Sequence, residues 1–229
     1  MACIRVTLVV AALATATSAA AQIQYPAAGI GDPEVLQRCQ GAATLTQRTI
    51  CDNQDLRLLE RDIHRYINLI KRRDAARAPA IDAGQLAFEQ QRERACGQLT
   101  APQGYDGPAY RCILSQQHAR LVQLAVSAGS GMSGVYRAQR PDMSGEMVIV
   151  EWPDGHAQVT IDTLTPPDAR TCSVQFAAPV GPALSGRPRG APDCRISVDA
   201  LGRTAMVRAE GDCTTVCVLN GRPDGVYRR

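Results

Sequence analysis

Past its first twenty or so positions the chain has no apolar run of the length a bilayer-spanning helix requires, about 20 residues, so no membrane anchor is expected. Charge of neither sign is in excess: the formal net charge is +3, and neither half shows a basic stripe or an acidic surface. Nucleic acid is therefore not an expected partner. Lys71 is the only lysine, an arginine-for-lysine bias of composition. No glycine-rich loop of the phosphate-cradling kind occurs, nor a Gly-x-Ser-x-Gly elbow to frame a serine nucleophile. Histidines number three, scattered at His64, His118 and His156, and each reads as a solvated surface residue. These gaps leave no frame for a catalytic site, so a non-enzymatic protein without cofactor or metal is expected.

What is present begins with export. Arg5 precedes "VTLVVAALATATSAAAQ", and a positive start, a short apolar stretch and an Ala-x-Ala site before Gln22 predict a signal peptide over 1–21, cut after Ala21. A lipoprotein signal would set cysteine at the cleavage point, whereas Cys3 lies near the start. The expected location is the periplasm or the exterior. With Cys3 set aside, Cys39, Cys51, Cys96 and Cys112 fall before residue 130, and Cys172, Cys194, Cys213 and Cys217 after it. An even number in an oxidising compartment reads as disulfides, so each half can be stapled by itself. In domains of roughly 100 residues, bridges worth about 2–4 kcal/mol each are a large share of net stability.

The first half, 22–126, reads as helical. Asp32-Pro33 resembles a helix start, and Thr44-Leu45-Thr46-Gln47 has the form of a capping box. From Asn53 onward Leu56, Leu59, Ile63, Tyr66, Ile67 and Ile70 recur at steps of three and four, the stripe of an amphipathic helix. Pro79 predicts its end near "AARAPA". A third helix should carry Leu86 and Phe88 down to Cys96, and a fourth should begin around Pro108 and carry Cys112, Ile113, Leu114, Leu121 and Leu124. Because Cys39 and Cys51 flank one short loop and Cys96 and Cys112 another, local pairing is favoured among the three connectivities that four cysteines allow.

These residues resemble the N-terminal domain of the LprI-type lysozyme inhibitors and their secreted bacterial relatives. The resemblance is carried by Cys39, Ala42, Gln47, Ile50-Cys51, Leu56, Leu59-Glu60 and Tyr66, then by Phe88, Arg92, Cys96, Cys112-Ile113 and Arg120, over roughly residues 38–125. Gln47, Glu60, Phe88 and Gln117 stand where the family pattern has an acid, an aspartate, a tryptophan and an aromatic. The resemblance implies a disulfide-clipped all-α domain in which these positions are structural. It also implies a protein partner such as a lysozyme or another cell-wall hydrolase.

"SAGSGMSG" marks a Gly/Ser linker over 127–133, and 134–229 then changes to short β-rich runs. "GEMVIVEW" and "HAQVTIDT" flank Pro153-Asp154-Gly155, a hairpin signal. "TCSVQFAA", "CRISVDA", "TAMVRAE" and "TVCVLN" follow, and Gly134-Val135-Tyr136-Arg137 is repeated as Gly225-Val226-Tyr227-Arg228. Six runs between two such ends predict a small antiparallel β-barrel or sandwich whose first and last strands are neighbours, with inward tyrosines and exposed arginines. The whole chain is thus expected to be α+β, in two domains. The long loop "PVGPALSGRPRGAPD" carries Arg187 and Arg189, for which solvated loop arginines are the favoured reading and contact with a carboxylate or phosphate the alternative. Cys213-Thr-Thr-Val-Cys217 is the one short motif with a reactive reading, and its three-residue spacing in a β context favours structural bridging over a redox centre. The expected function is an exported binding or envelope-protection protein, including lysozyme inhibition. The rivals are a thiol-dependent redox factor using Cys213 and Cys217 and a structural interaction module of the envelope.

Overall fold

The computed structural model describes residues 39–99, 107–167 and 170–229. The expected leader and the helix start at Asp32 lie outside the described residues. Helix α1 spans Leu45–Asp52 and opens on the expected capping box: Gln47 N donates to Thr44 Oγ1 at 3.2 Å, and Thr44 N donates to Gln47 Oε1 at 3.2 Å. Thr44 Oγ1 also donates to Glu93 Oε2 at 2.9 Å, which ties the start of α1 to a distant helix. Helix α2, Gln54–Arg73, buries the whole predicted stripe from Leu56 to Ile70. It ends one turn earlier than expected, because Pro79 does not stop a helix here: it sits in the first turn of the next one, where a missing N–H costs nothing. Lys71, Arg72 and Arg73 close α2 at the negative end of its dipole. A 3₁₀ turn over Ala75–Arg77 leads to α3, Ala78–Cys96, and α4 runs over Pro108–Ser127.

Eight strands follow: β1 Gly134–Ala138, β2 Ser144–Glu151, β3 His156–Thr165, β4 Arg170–Pro179, β5 Leu184–Gly186, β6 Cys194–Leu201, β7 Thr204–Gly211 and β8 Gly225–Arg228. All pair antiparallel in the order β4-β3-β2-β1-β8-β7-β6-β5, a nearly closed barrel in which Arg189 N donates to Gln175 O at 3.3 Å across the β4 and β5 side. The α+β layout read from sequence is what the chain adopts. The hairpin turn lies where expected, with Gly155 at φ +90°. The two GVYR segments are neighbours, with Arg137 opposite Arg228 and Ala138 opposite Tyr227. Tyr136 and Tyr227 are fully buried while both arginines are exposed. Each tyrosine hydroxyl donates at 2.7 Å to the carbonyl four residues upstream, Met132 O and Pro223 O respectively.

One strand is displaced from its expected place. "TVCVLN" forms a turn and the 3₁₀ segment Val218–Asn220, joined to β4 by an isolated β-bridge and a disulfide, both between Cys172 and Cys217. β7 pairs directly with β8 instead, and the eighth strand is the three-residue β5, which lies beside β6 inside the stretch read as a loop.

The helical half is not tethered loosely to the barrel. In β2, Met147 and Ile149 face the barrel core, while Val148 and Val150 join a cluster with Leu59, Ile63, Ile67, Leu121 and Leu124 of the helices. Trp152 packs against Tyr66 with ring centroids 4.9 Å apart, and Tyr66 Oη donates to Glu151 O at 2.7 Å. The Gly/Ser segment is itself pinned: Glu151 N donates to Ser133 Oγ at 2.8 Å, Ser130 Oγ donates to Glu151 Oε2 at 2.7 Å, and the Arg229 guanidinium donates to Ser133 O and Gly131 O. No helix among the described residues is long and apolar enough to cross a membrane.

Candidate functional site

Sequence singled out two kinds of position, a set of motif residues in the helical half and an arginine pair in the barrel, and the structure separates them. The motif residues converge. Ile50, Leu56, Leu59 and Tyr66 are core, and Ala42 is partly covered near the start of α1. Glu60, Phe88, Arg92 and Arg120 build a buried polar centre among α2, α3 and α4. Arg92 Nη1 donates to Glu60 Oε2 at 2.6 Å, and Nη2 reaches Oε1 at 3.4 Å. The Arg92 guanidinium lies 5.0 Å from the Phe88 ring centroid, with that of Arg120 at 5.7 Å. Gln117 Nε2 donates to Glu60 Oε2 at 2.8 Å and to Leu56 O at 3.1 Å. Arg120 Nε donates to Gln85 Oε1 at 3.2 Å, and Gln85 Nε2 passes the chain on to Glu89 Oε1 at 3.0 Å. Burial pushes the Glu60 carboxyl up, but His64, Arg92 and Gln117 outweigh that and hold it down at about 2.

Beside this centre α2 and α3 leave a polar cleft of about 500 Å³, lined by His64, Asn68 and Lys71 on one wall and Asp82, Gln85 and Glu89 on the other. Lys71 and Asp82 form an ion pair across it. His64 lies one turn beyond Glu60, with its Nε2 3.8 Å from Glu60 Oε1, beyond hydrogen-bond reach. That nitrogen is sealed from solvent and has no hydrogen-bond partner among the described residues.

The histidines correct the sequence reading. His118 is buried at 7% exposure, and desolvation lowers its pKa to about 4. His64 is partly covered, and His156 is held to Asp154 by an Nδ1 to Oδ1 contact of 3.0 Å. None is a freely solvated side chain. The signal for His118 was present in its register, one position past Gln117 and three before Leu121 on the inner side of α4. The signal for the polar centre was the spacing of Gln85, Glu89 and Arg92, which share one face of α3, but nothing in the sequence brings Glu60 to them.

Every cysteine of the described residues is bridged. Cys39 pairs with Cys51 and Cys96 with Cys112, the local connectivity favoured from sequence. Cys213 and Cys217 are not joined to each other: Cys213 bonds Cys194 on β6 and Cys217 bonds Cys172 on β4. Both line a second cleft of about 240 Å³ with Asp212, Thr214, Arg222 and Pro223.

Arg187 and Arg189 are exposed on the connection from β5 to β6, and neither makes an ion pair with a described residue. The backbone beneath them is fixed. Pro188 between them is buried, Arg189 N is bonded to β4, Ala191 N donates to Pro188 O at 3.1 Å, and Cys194 anchors the far end through its bridge. Gly190 at φ +81° makes a turn that side-chain-bearing residues rarely adopt. Two guanidinium groups thus project from a braced rim loop, and no carboxylate among the described residues forms an ion pair with either.

No protein-family model, no curated protein and no solved structure matches this chain.

Proposed function

We propose that this protein is an exported, non-enzymatic binding protein of the periplasm or exterior that protects the cell envelope by engaging a cell-wall hydrolase of the lysozyme class. The observation that carries the reading is the braced loop holding Arg187 and Arg189 exposed and without an ion pair among the described residues. Glycoside hydrolases of this class work with two carboxylates flanking the scissile bond. A guanidinium matches a carboxylate in a two-pronged, charge-assisted contact, and a loop already fixed by a proline, a cross-strand hydrogen bond and a disulfide loses little freedom on docking. The four disulfides support an oxidising location, and the LprI-like positions that converge around Glu60 and Arg92 support the same class of protein.

With a formal charge of only +3, no long-range attraction draws the chain to a basic lysozyme. Affinity then rests on local contact, and the association rate should not fall as salt rises. The test is lysis of a peptidoglycan suspension by lysozyme in the presence of the purified, oxidised protein. Inhibition that weakens tenfold or more in the double variant Arg187→Glu, Arg189→Glu is the expected result. Undiminished lysis at large molar excess of the unaltered protein overturns the function, and full inhibition by the double variant overturns the role of the loop.

A further inference from the structure

We propose that Glu60, His64 and Glu89 form a binding site for one divalent transition-metal cation, zinc by preference, where α2 faces α3. One carboxylate oxygen from each glutamate and one imidazole nitrogen lie within 4.8 Å of one another. Bonds of about 2.0–2.2 Å to nitrogen and oxygen place ligand atoms roughly 3.3–4 Å apart around a cation. The Glu60 to His64 separation of 3.8 Å already meets that, and the Glu89 ligand oxygen lies within 4.8 Å of both.

The surroundings fit a ligand set better than a plain ion pair. Glu60 Oε2 is taken up by Arg92 Nη1 and Gln117 Nε2, whereas Oε1 carries only the longer 3.4 Å contact and stands next to His64. Arg92 thus secures the carboxylate in its ionised form while leaving one oxygen for a cation. Gln85 Nε2 donates to Glu89 Oε1 at 3.0 Å and so orients that carboxylate. Metal-binding side chains are commonly fixed by such outer hydrogen bonds. His64 Nε2, enclosed and without a partner among the described residues, incurs a desolvation cost that a metal–nitrogen bond would remove. An imidazole beside two carboxylates favours zinc and its transition-metal neighbours over magnesium or calcium, which prefer all-oxygen sets. The adjoining cleft of about 500 Å³ has room for water at the remaining coordination positions. This site is on the helical half and is independent of the arginine loop.

The oxidised protein, freed of metal with a chelator and dialysed, is titrated with zinc chloride in a calorimeter, and with cobalt(II) chloride to read the ligand field in visible absorption. One equivalent per chain is expected. His64→Gln and Glu89→Gln should each weaken binding by about tenfold or more while leaving the far-ultraviolet circular dichroism unchanged. These two positions are chosen because Glu60→Gln would strand the buried Arg92 and could fail by misfolding. Absence of saturable binding at one equivalent overturns the proposal. So does zinc binding of equal strength in both variants, which would place the metal elsewhere.

Discussion

At the level of single residues, the helical half concentrates its electrostatics in two buried groups that titrate with consequences. His118 has its folded pKa at about 4 against an ordinary 6.5, because burial disfavours the imidazolium. The unfolded chain therefore takes up a proton first. Stability is fully present above pH 6.5 and is lost as pH falls from there to 4, by roughly 3 kcal/mol for a shift of this size in a buried group. Glu60 acts in a lower window: its depressed pKa of about 2 against 4.5 supplies stability present above pH 4.5 and lost as pH falls toward 2. Glu146 and Asp162, raised chiefly by burial, oppose this trend, since their protonation favours the folded form. Comparing denaturant midpoints of the wild type and His118→Gln isolates the histidine. The wild type should lose roughly 3 kcal/mol more than the variant between pH 7 and pH 4, and parallel curves would show that His118 is not the sensitive group. In the sequence this is carried by helical register alone. One histidine beside glutamines reads as polar, and only the inward register of α4 makes it a core residue.

At the level of elements, the repeated GVYR segments place equivalent tyrosines at the seam where the first and last strands pair. Both hydroxyls bond the carbonyl four residues back, so each tyrosine ties its strand to the incoming loop as well as filling the core. Tyr136→Phe and Tyr227→Phe should each cost about 1 kcal/mol in urea unfolding, while the alanine variants should cost about 3–5 kcal/mol by leaving a cavity. Equal losses for phenylalanine and alanine would mean that the bond, not the ring, dominates. The seam was legible because the alternation and the repeat are local patterns. The helix stripe of α2 was legible for the same reason, and the short connections framed by cysteines made the helical bridges readable. The absence of "TVCVLN" from the sheet and the presence of β5 in it were not. Cys213 and Cys217 bond to different strands, and that long-range commitment draws a β-prone segment out of the ladder. β5 has three residues between glycines and prolines, too short to carry a period.

At the level of the whole molecule, two stapled halves share one apolar seam. The outward valines of β2 are as buried as its inward residues, so the run from Met147 to Val150 is covered on both faces. A strand covered on both sides reads as continuous apolar sequence, and "MVIV" is that pattern. Trp152 is the largest side chain at this junction, 4% exposed, set against Tyr66 and beneath the Arg65 guanidinium at 5.1 Å. Each half keeps two disulfides within itself, so each retains its own staples when the seam is weakened. Trp152→Ala should cost about 3–5 kcal/mol, and the cost should fall on the coupling between halves. In scanning calorimetry the wild type is expected to unfold in one transition with equal calorimetric and van't Hoff enthalpies, and the variant in two, with the calorimetric value the larger. A variant that still melts in a single step, only at lower temperature, would mean that Val148, Val150 and the Tyr66 bond to Glu151 are sufficient to make the halves one cooperative unit.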